Sequence, residues 1–579
     1  MDHKNSSDHT TTPDIHPARI TETAPHEHSA TIQYRLARKA LIQSEKAQRH
    51  DVAFAASMSP VAKEAAVLLS SLRQQEIQEV WNGSPDCQPD TMTKDAPFHG
   101  MAFPLSRSRR ESTRSWRILD KMPKGALLHA HFDAMVDVDW LVERCLREPG
   151  LCFVCPVDGG LLADAAPTFQ VIFDDSLSNP DNEEGNIWSL KYRAHTPMLM
   201  TEAKSQFPST QGMSFEQWIL KQCVLSPEDS LLHHQGIDVI WRKFQNCIPL
   251  VGEFIFYEPI FRDALQRVFG QLADNKIMYV DLRLVLSCLR FRRAGRTEVD
   301  EDGADTFFHV FGQEMNKFKR TARGAGFRGA SMIWTAMRGL DDESIIASMT
   351  DCIRIKLLFP QLVCGFDFVG QEDLGRPLVE LAPAALWFQQ ECASAGVEIP
   401  FFLHAGECLG DGNATDRNLF DAILLGARRI GHGFSLYKHP LLIDKVKENK
   451  ILIETCPISN EVLRLTSSSL NHTMWALLSR GVPVCLNNDD PAILGHGKNG
   501  LTHDMYQAFM ASDNLGLEGL GTMAENSIKW SAMEDRSLDH WIQEIDESYP
   551  GETLKAQALR QWREDFDKWC QWVVSELSL

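Results

Sequence analysis

Histidine and carboxylate side chains follow directly on short apolar runs of this 579-residue sequence. Two histidines two positions apart, His129 and His131, end one run, and His404 and His432 end two later runs. The last run is followed by an acidic pair and a proline, Asp489-Asp490-Pro491. Residues two apart on a strand project to the same face, so both imidazoles of the first pair can face one metal ion. Three histidines and one aspartate form the ligand set of a catalytic zinc site, in which one position stays open for water.

The apolar runs have the length and the spacing of buried strands. From the second run onward they are separated by stretches with a helical pattern, such as 378–393 and 441–447. Eight buried strands that alternate with helices predict an α/β fold, a TIM-like (β/α)8 barrel with its active site at the C-terminal ends of the strands. The predicted strands are 126–131, 277–282, 330–334, 362–368, 401–404, 429–432, 451–455 and 482–486.

Two parts of the chain lie outside this alternation. Residues 132–276 separate the first and second runs by far more than an ordinary βα connection, and they predict a long helical insertion that covers the barrel mouth as a lid. Residues 31–120 predict a helical N-terminal extension and connector. The first 30 residues, rich in Ser, Thr, His and Pro, predict a disordered tail. The barrel itself is predicted over 121–579.

The charge balance excludes some classes of partner. Lys and Arg number 58 against 78 for Asp and Glu, which gives a net charge of −20. Such a field repels phosphate backbones and anionic lipid surfaces, so we expect neither a nucleic-acid nor a membrane partner. The N-terminal region has no apolar stretch typical of a signal peptide, which predicts a cytoplasmic protein, with export by an unconventional route as the alternative.

The fourteen cysteines are too few for a disulfide scaffold. Most stand inside apolar runs, which is typical of buried free thiols. Cys152 and Cys155 form one C-x-x-C, but no second pair follows at zinc-finger spacing, and a metal or redox role for this pair stays open.

The segments that hold these residues resemble the adenosine deaminase superfamily and, within it, the adenosine deaminase-related growth factor subfamily. The resemblance covers residues 121 to about 530 and extends to the helical region 32–81. The matching segments are MPKGALLHAH at 122–131, GFDFVGQED at 365–373, FLHAGE at 402–407, RIGHGF at 429–434, ETCPISN at 454–460 and NDDPA at 488–492.

The resemblance implies a barrel of the metallo-dependent hydrolase type that holds one Zn²⁺ per chain and deaminates adenosine and 2′-deoxyadenosine. The implied metal ligands are His129, His131, His404 and Asp489, and Asp489 also belongs to the implied catalytic set. In that set Glu407 gives a proton to purine N1.

Four further positions take their roles from the same resemblance. His432 matches the histidine that orients and deprotonates the attacking water. Asp490 matches the carboxylate that faces purine N7, and Gly370 matches the glycine whose backbone contacts N3. Asp133 and Trp241 match positions near the ribose, although a buried helix residue is the alternative interpretation of Trp241.

Three departures concern the sugar. Phe132 stands where many members of the subfamily have aspartate, with Asp133 next, and Met337 and Gln371 stand where some members have histidine. Two alternatives therefore stay open: a deaminase of another aminopurine, such as AMP or an N6-substituted nucleotide, and a signalling or binding protein that keeps the fold. The resemblance also implies a homodimer through region 32–81, with packing on the chain's own barrel as the alternative.

Overall fold

The structure, a computed structural model, describes residues 29–82, 97–162, 168–174, 183–208, 212–547 and 551–578. Of the predicted disordered tail, residues 1–28 lie outside the described residues, whereas Ser29 and Ala30 belong to a helix. The described residues divide into two units, one that ends at Gln48 and one that begins at Arg49. Helix α1, Ser29–Lys46, belongs to the first unit and has no buried side chain. Within the described ranges, no helix is long and apolar enough to cross a membrane.

Parallel strands in the second unit form two four-stranded sheets, ordered β1-β5-β6-β7 and β11-β10-β9-β8. Their side chains are almost continuously buried, as expected of parallel strands covered on both faces. The eleven strands of the described chain are β1 Gly125–His131, β2 Leu151–Val154, β3 Gln170–Phe173, β4 Met198–Leu199, β5 Ile277–Val285, β6 Gly329–Met337, β7 Val363–Val369, β8 Phe402–Ala405, β9 Arg429–His432, β10 Leu452–Thr455 and β11 Val484–Leu486.

Two isolated parallel bridges join these sheets into a closed eight-stranded barrel. Phe366 in β7 bridges to Phe401 at the start of β8, and Ala130 in β1 bridges to Asp489 just after β11. The predicted (β/α)8 barrel is therefore confirmed, and the second bridge brings the acidic pair to the end of β1.

Helices surround the barrel and contribute the apolar faces that bury its strands. The remaining helices are α2 Val52–Ser57, α3 Pro60–Glu76, α4 Phe103–Glu111, α5 Arg114–Asp120, α6 Val138–Leu146, α7 Met200–Ser205, α8 Phe215–Cys223, α9 Pro227–Leu231, α10 Ile237–Ile255, α11 Glu258–Asp274, α12 Gly303–Lys319, α13 Asp342–Leu358, α14 Leu378–Ala395, α15 Asn418–Leu424, α16 Pro440–Glu448, α17 Pro457–Val462, α18 Met474–Ser479, α19 Gly500–Ala511, α20 Gly516–Lys529, α21 Leu538–Glu547 and α22 Leu554–Leu577.

The insertion after β1 contains helices α6 to α11, as predicted, and also a small antiparallel sheet of order β3-β2-β4, which was not predicted. Helix α10 crosses the barrel mouth. Near its start, Asp238 accepts a hydrogen bond of 2.7 Å from Gln371, which follows β7. At its end, the Phe256 ring lies 6.5 Å from the Phe132 ring, which follows β1. This helix therefore reaches from the end of β7 to the end of β1.

Helix α3 packs on the chain's own barrel helices α20 and α22. Ser59 caps its first turn, accepting a hydrogen bond from Ala62 N at 3.2 Å. Ala65, Leu69 and Leu72, which recur at helical spacing, are buried in this contact. For α3 the structure thus favours packing on the chain's own barrel over a subunit interface.

Candidate active site

Four side chains from three strand ends bring their ligand atoms together. His129 and His131 belong to β1, His404 to β8, and Asp489 follows β11; all four ligand atoms lie within 4.8 Å of one another. Asp489 Oδ1 is 3.2 Å from His129 Nε2 and 3.5 Å from His131 Nε2. At ordinary zinc bond lengths, two ligand atoms on a tetrahedral ion lie about 3.4 Å apart. The donor set therefore fits a zinc ion.

Two carboxylates hold histidine rings in the orientation that metal binding requires. Glu454 Oε2 lies 2.9 Å from His129 Nδ1, and Asp367 Oδ2 lies 2.6 Å from His404 Nδ1. Each carboxylate accepts the Nδ1 proton and leaves the Nε2 lone pair free for a metal. His129 Nε2 is buried and has no hydrogen-bond partner in the described part of the chain. Such an orphaned atom is what an ion in this position would satisfy.

A buried arginine, which the sequence analysis did not single out, ties these carboxylates together. Arg283 in β5 donates from Nε to Asp367 at 2.9 Å and from Nη2 to Glu454 at 2.7 Å. Burial by itself would raise the pKa of both carboxyls, but their positively charged neighbours hold both pKa values well below the ordinary range. Both carboxylates therefore stay ionised. The sequence did carry a signal, because Asp281 and Arg283 are charges two apart in an apolar strand and must be paired when buried.

The backbone is strained at two site residues. His432 and Asp489 have φ angles of 61° and 57°, in the left-handed region that costs a residue other than glycine about 1–3 kcal/mol. The Asp489 backbone is held by β1, since His131 N donates to Asp489 O at 3.0 Å and Asp489 N donates to His129 O at 3.2 Å. Gly431 leaves room for the His129 ring, because a Cβ at position 431 would lie 2.8 Å from His129 Cε1.

Glu407 lies buried beside the four ligands. Its backbone N–H donates to Glu372 Oε1 at 2.7 Å, and its own Oε1 lies 3.4 Å from His432 Nδ1. No donor of the described residues hydrogen-bonds to that Oε1. Burial, and then the charges of Asp489 and Glu372, raise the pKa of the Glu407 carboxyl well above its ordinary value. This carboxyl can therefore hold a proton near neutral pH and give it to a ligand.

Two more carboxyls of the site are suited to hold protons. Burial, followed by the charges of Asp489 and Asp133, raises the pKa of Asp490 well above its ordinary value. Burial raises the pKa of Asp133 to about 7. A protonated carboxyl can donate a hydrogen bond, which an ionised one cannot.

A short hydrogen-bond chain sets the tautomer of His432. The backbone N–H of Met474 donates to His472 Nδ1 at 3.1 Å, so the proton of that neutral ring is on Nε2, which lies 3.0 Å from Asn460 Oδ1. The Asn460 amide nitrogen then donates to His432 Nδ1 at 3.1 Å. Burial lowers the pKa of His432 well below its ordinary value. His432 is therefore neutral, with its one proton on Nε2, the nitrogen that faces the metal ligands.

One cavity of about 490 Å³ opens onto this cluster. Gly370, with a φ of 105°, stands on its wall where a Cβ would lie 3.3 Å from Met337 Cε. Trp241 on α10 also lines it, and its buried Nε1 has no acceptor within the described ranges. Of the ten site residues predicted from the sequence, His129 alone does not line the cavity; the others are His131, Asp133, Trp241, Gly370, His404, Glu407, His432, Asp489 and Asp490.

A second set of potential ligands overlaps the first. It combines His129, His432 and Asp489 with Cys456. Cys456 does not line the cavity, and burial raises the pKa of its thiol well above the ordinary value. The set with His131 and His404 is therefore the better metal site.

The C-x-x-C of the insertion lies away from this cluster. Cys152 and Cys155 are both buried, and burial raises the pKa of the Cys152 thiol to about 12. Among the described residues, neither belongs to a group of side chains close enough to share a metal ion. The pair is best explained as packing of the small sheet.

The chain is similar to known adenosine deaminases over most of its length and not only at the candidate active site. Residues 302–548 match the family model described as adenosine deaminase. The chain is 32% identical over 510 residues to adenosine deaminase 2 of Sus scrofa, which covers 86% of this chain and 89% of that protein. It is 32% identical over 465 residues to an adenosine deaminase of Lutzomyia longipalpis, with coverage of 79% and 80%. Adenosine deaminase 2 of Homo sapiens is 31% identical over 435 residues, with coverage of 75% and 79%.

Proposed function

The chain belongs to the adenosine deaminase family, in its adenosine deaminase-related growth factor subfamily, and from this premise we propose that it hydrolyses adenosine and 2′-deoxyadenosine to inosine and 2′-deoxyinosine. Membership of the family makes it a hydrolase of the deaminase type. The observation that carries the proposed reaction is one buried cluster in which four metal-ligand atoms stand beside the Glu407 carboxyl. A non-catalytic binding protein would not need that combination.

His129, His131, His404 and Asp489 would hold one zinc ion per chain. Zinc, when bound, supplies the Lewis acid that makes water a nucleophile at neutral pH. The chain's own contribution includes the orientation of the His129 and His404 rings by Glu454 and Asp367. Burial lowers the pKa of His131 to about 3, so this ring is in the neutral form that binds metals.

Glu407 is the proposed proton donor to purine N1. As water adds to C6, the C6–N1 double bond opens and N1 takes the proton of the Glu407 carboxyl. The amine then leaves as ammonia: one hydrogen of the water ends on the leaving nitrogen, and the other restores the proton of the Glu407 carboxyl. The raised pKa of Glu407 is the property that this role requires, because the carboxyl must be protonated when the base binds.

Asp490 and Gly370 are proposed to fix the plane of the purine. N7 of the base can only accept a hydrogen bond, so Asp490 must be protonated to donate one, and its raised pKa supports this form. Gly370 gives the base edge access to the backbone, since any side chain there would enter the cavity.

His432 is proposed to orient the attacking water. With its proton on Nε2, the neutral ring donates a hydrogen bond to the water oxygen and has no lone pair there to accept a proton. This tautomer supports the orienting part of the role implied by the family resemblance over the deprotonating part.

Asp133 and Trp241 are proposed to contact the ribose. Asp133 is half-buried near Asp490 and lines the same cavity. The Trp241 indole N–H has no acceptor among the described residues, and a sugar oxygen could provide one.

The proposed activity is tested by a substrate screen of the zinc-loaded protein with adenosine, 2′-deoxyadenosine, AMP and adenine. We expect both nucleosides to be deaminated, with kcat/KM well above those of AMP and adenine, because a dianionic phosphate opposes the net charge of −20. A preference for AMP would show that the substrate is a nucleotide and not a nucleoside. Inactivity on all four compounds would contradict the proposal.

We further propose a homodimer that depends on α1. Tyr34 and Leu41, seven positions apart on one face of this helix, are both exposed, and apolar surface grouped on one face is typical of sites that another chain covers. Light scattering of the full chain should give about twice 65.3 kDa, and deletion of residues 1–48, which leaves α3 in place, should give a single chain mass. A full-length monomer, or a dimer of unchanged stability after the deletion, would contradict this.

A further inference from the structure

The cavity follows α10 over most of the length of this helix. One face of α10 lines it from Trp241 to Glu253, a stretch of thirteen residues that rises about 18 Å. Under the proposed function Trp241 stands near the ribose. The remainder of the cavity is then free for a substituent on the sugar.

The middle of this extension is apolar. Its walls are Ile248 on α10, Leu284 and Val285 at the end of β5, Leu289 just beyond, and Met337 at the end of β6. A charged group attached directly to the ribose would lose its hydration against these side chains without a partner. An apolar linker would bury its surface there at no such cost.

The far end of the extension carries charges of both signs. Arg292 is 5% exposed and uses its Nε for a hydrogen bond of 3.2 Å to Thr297 O, and no carboxylate of the described residues forms an ion pair with its guanidinium. Glu253 accepts a hydrogen bond from Val171 N at 3.0 Å and lies 3.7 Å from Arg290 Nη1. Burial lowers the pKa of Arg292 and raises that of Glu253.

We infer that this extension binds an α-amino-acid group, carried on an apolar spacer at the 5′ carbon of the substrate's ribose. Arg292, with Arg290 beside it, accommodates the carboxylate, and Glu253 accommodates the ammonium. A phosphate fits less well, because it carries no ammonium group for Glu253. The inference rests on the proposed nucleoside deamination and names a substrate class for the same site.

Four nucleosides and nucleotides separate the requirements: adenosine, 5′-methylthioadenosine with a spacer alone, AMP with a charge alone, and S-adenosylhomocysteine with spacer and amino acid. We expect kcat/KM for S-adenosylhomocysteine to exceed that for 5′-methylthioadenosine and that for AMP at least about tenfold, the effect of one charge-assisted hydrogen bond. Equal or lower values for S-adenosylhomocysteine would overturn the inference. If adenosine itself is not deaminated, the proposed function fails instead.

Single substitutions test whether Arg292 and Glu253 cause the preference for S-adenosylhomocysteine. Arg292→Gln and Glu253→Gln should each lower the ratio of kcat/KM for S-adenosylhomocysteine to that for 5′-methylthioadenosine about 10- to 100-fold. The matched control is Arg293→Gln in the same loop, whose side chain is half exposed and pairs with Asp300, and which should leave the ratio unchanged. If Arg292→Gln does not fold, Glu253→Gln decides, since glutamine can still accept from Val171 N. An unchanged ratio in the folded variants would overturn the assignment.

Discussion

Replacing Glu407 with glutamine is expected to lower kcat for adenosine by about 10²–10⁴, the usual contribution of general acid catalysis. The amide keeps the size of the side chain and can still donate a hydrogen bond to purine N1, but it cannot transfer a proton. Glu407 follows β8 and is not among the proposed metal ligands, so zinc should stay bound. Substrate binding should weaken far less than turnover.

The pH dependence provides a second readout of Glu407. The reaction requires the protonated carboxyl, which exists below its pKa, and burial raises that pKa well above its ordinary value. We therefore expect kcat of the wild type to fall as pH rises through the raised pKa, and this fall should be absent in Glu407→Gln. Glu391→Gln on the exposed face of α14 serves as the control and should match the wild type. Near-wild-type turnover in Glu407→Gln would show that another group supplies the proton.

Replacing His131 with alanine should lose zinc and activity together. Loss of one of the four ligands lowers the affinity for the ion, and the free position that activates water is no longer defined. His131 is the most informative ligand to remove, because it is half-buried at the cavity wall. Removal of His129 or His404 would also take a hydrogen-bond donor away from a buried, ionised carboxylate, Glu454 or Asp367.

Metal analysis of the purified proteins measures this effect. The wild type should contain close to one zinc per chain, and His131→Ala should contain well below half of that, with activity restored only partly by added zinc. The control is His439→Ala, whose ring pairs with Asp416 at 3.1 Å and does not line the cavity. Full zinc occupancy in His131→Ala would show that the ligand set is wrong.

The barrel and the positions of its chemistry could be predicted because both depend on local patterns. Each predicted strand overlaps an observed one, with differences of up to three residues at the ends, as for 330–334 against Gly329–Met337. Since the carboxyl ends of parallel strands meet at one rim, the residues that follow these runs had to converge there. That is why His129, His404 and Asp489 are found together.

Other features depend on tertiary contacts that leave weak traces in one sequence. Strands β2 to β4 are two to four residues long, too short for an alternating pattern to be distinguished from a loop. The apolar positions of α3 indicated a buried face but not which surface covers it. Likewise, a buried arginine at position 283 predicts that carboxylates lie nearby, but the sequence does not indicate which ones. Asp367 and Glu454 are its partners because the barrel fold brings their strands together.

The most direct test of the central claim is to incubate the zinc-loaded wild type with adenosine in ¹⁸O-labelled water and to analyse the products by mass spectrometry. Hydrolytic attack at C6 predicts inosine that carries one ¹⁸O atom in its base, together with one ammonia for each inosine formed. Absence of inosine from a protein that holds its zinc, or inosine without the label, would contradict the account.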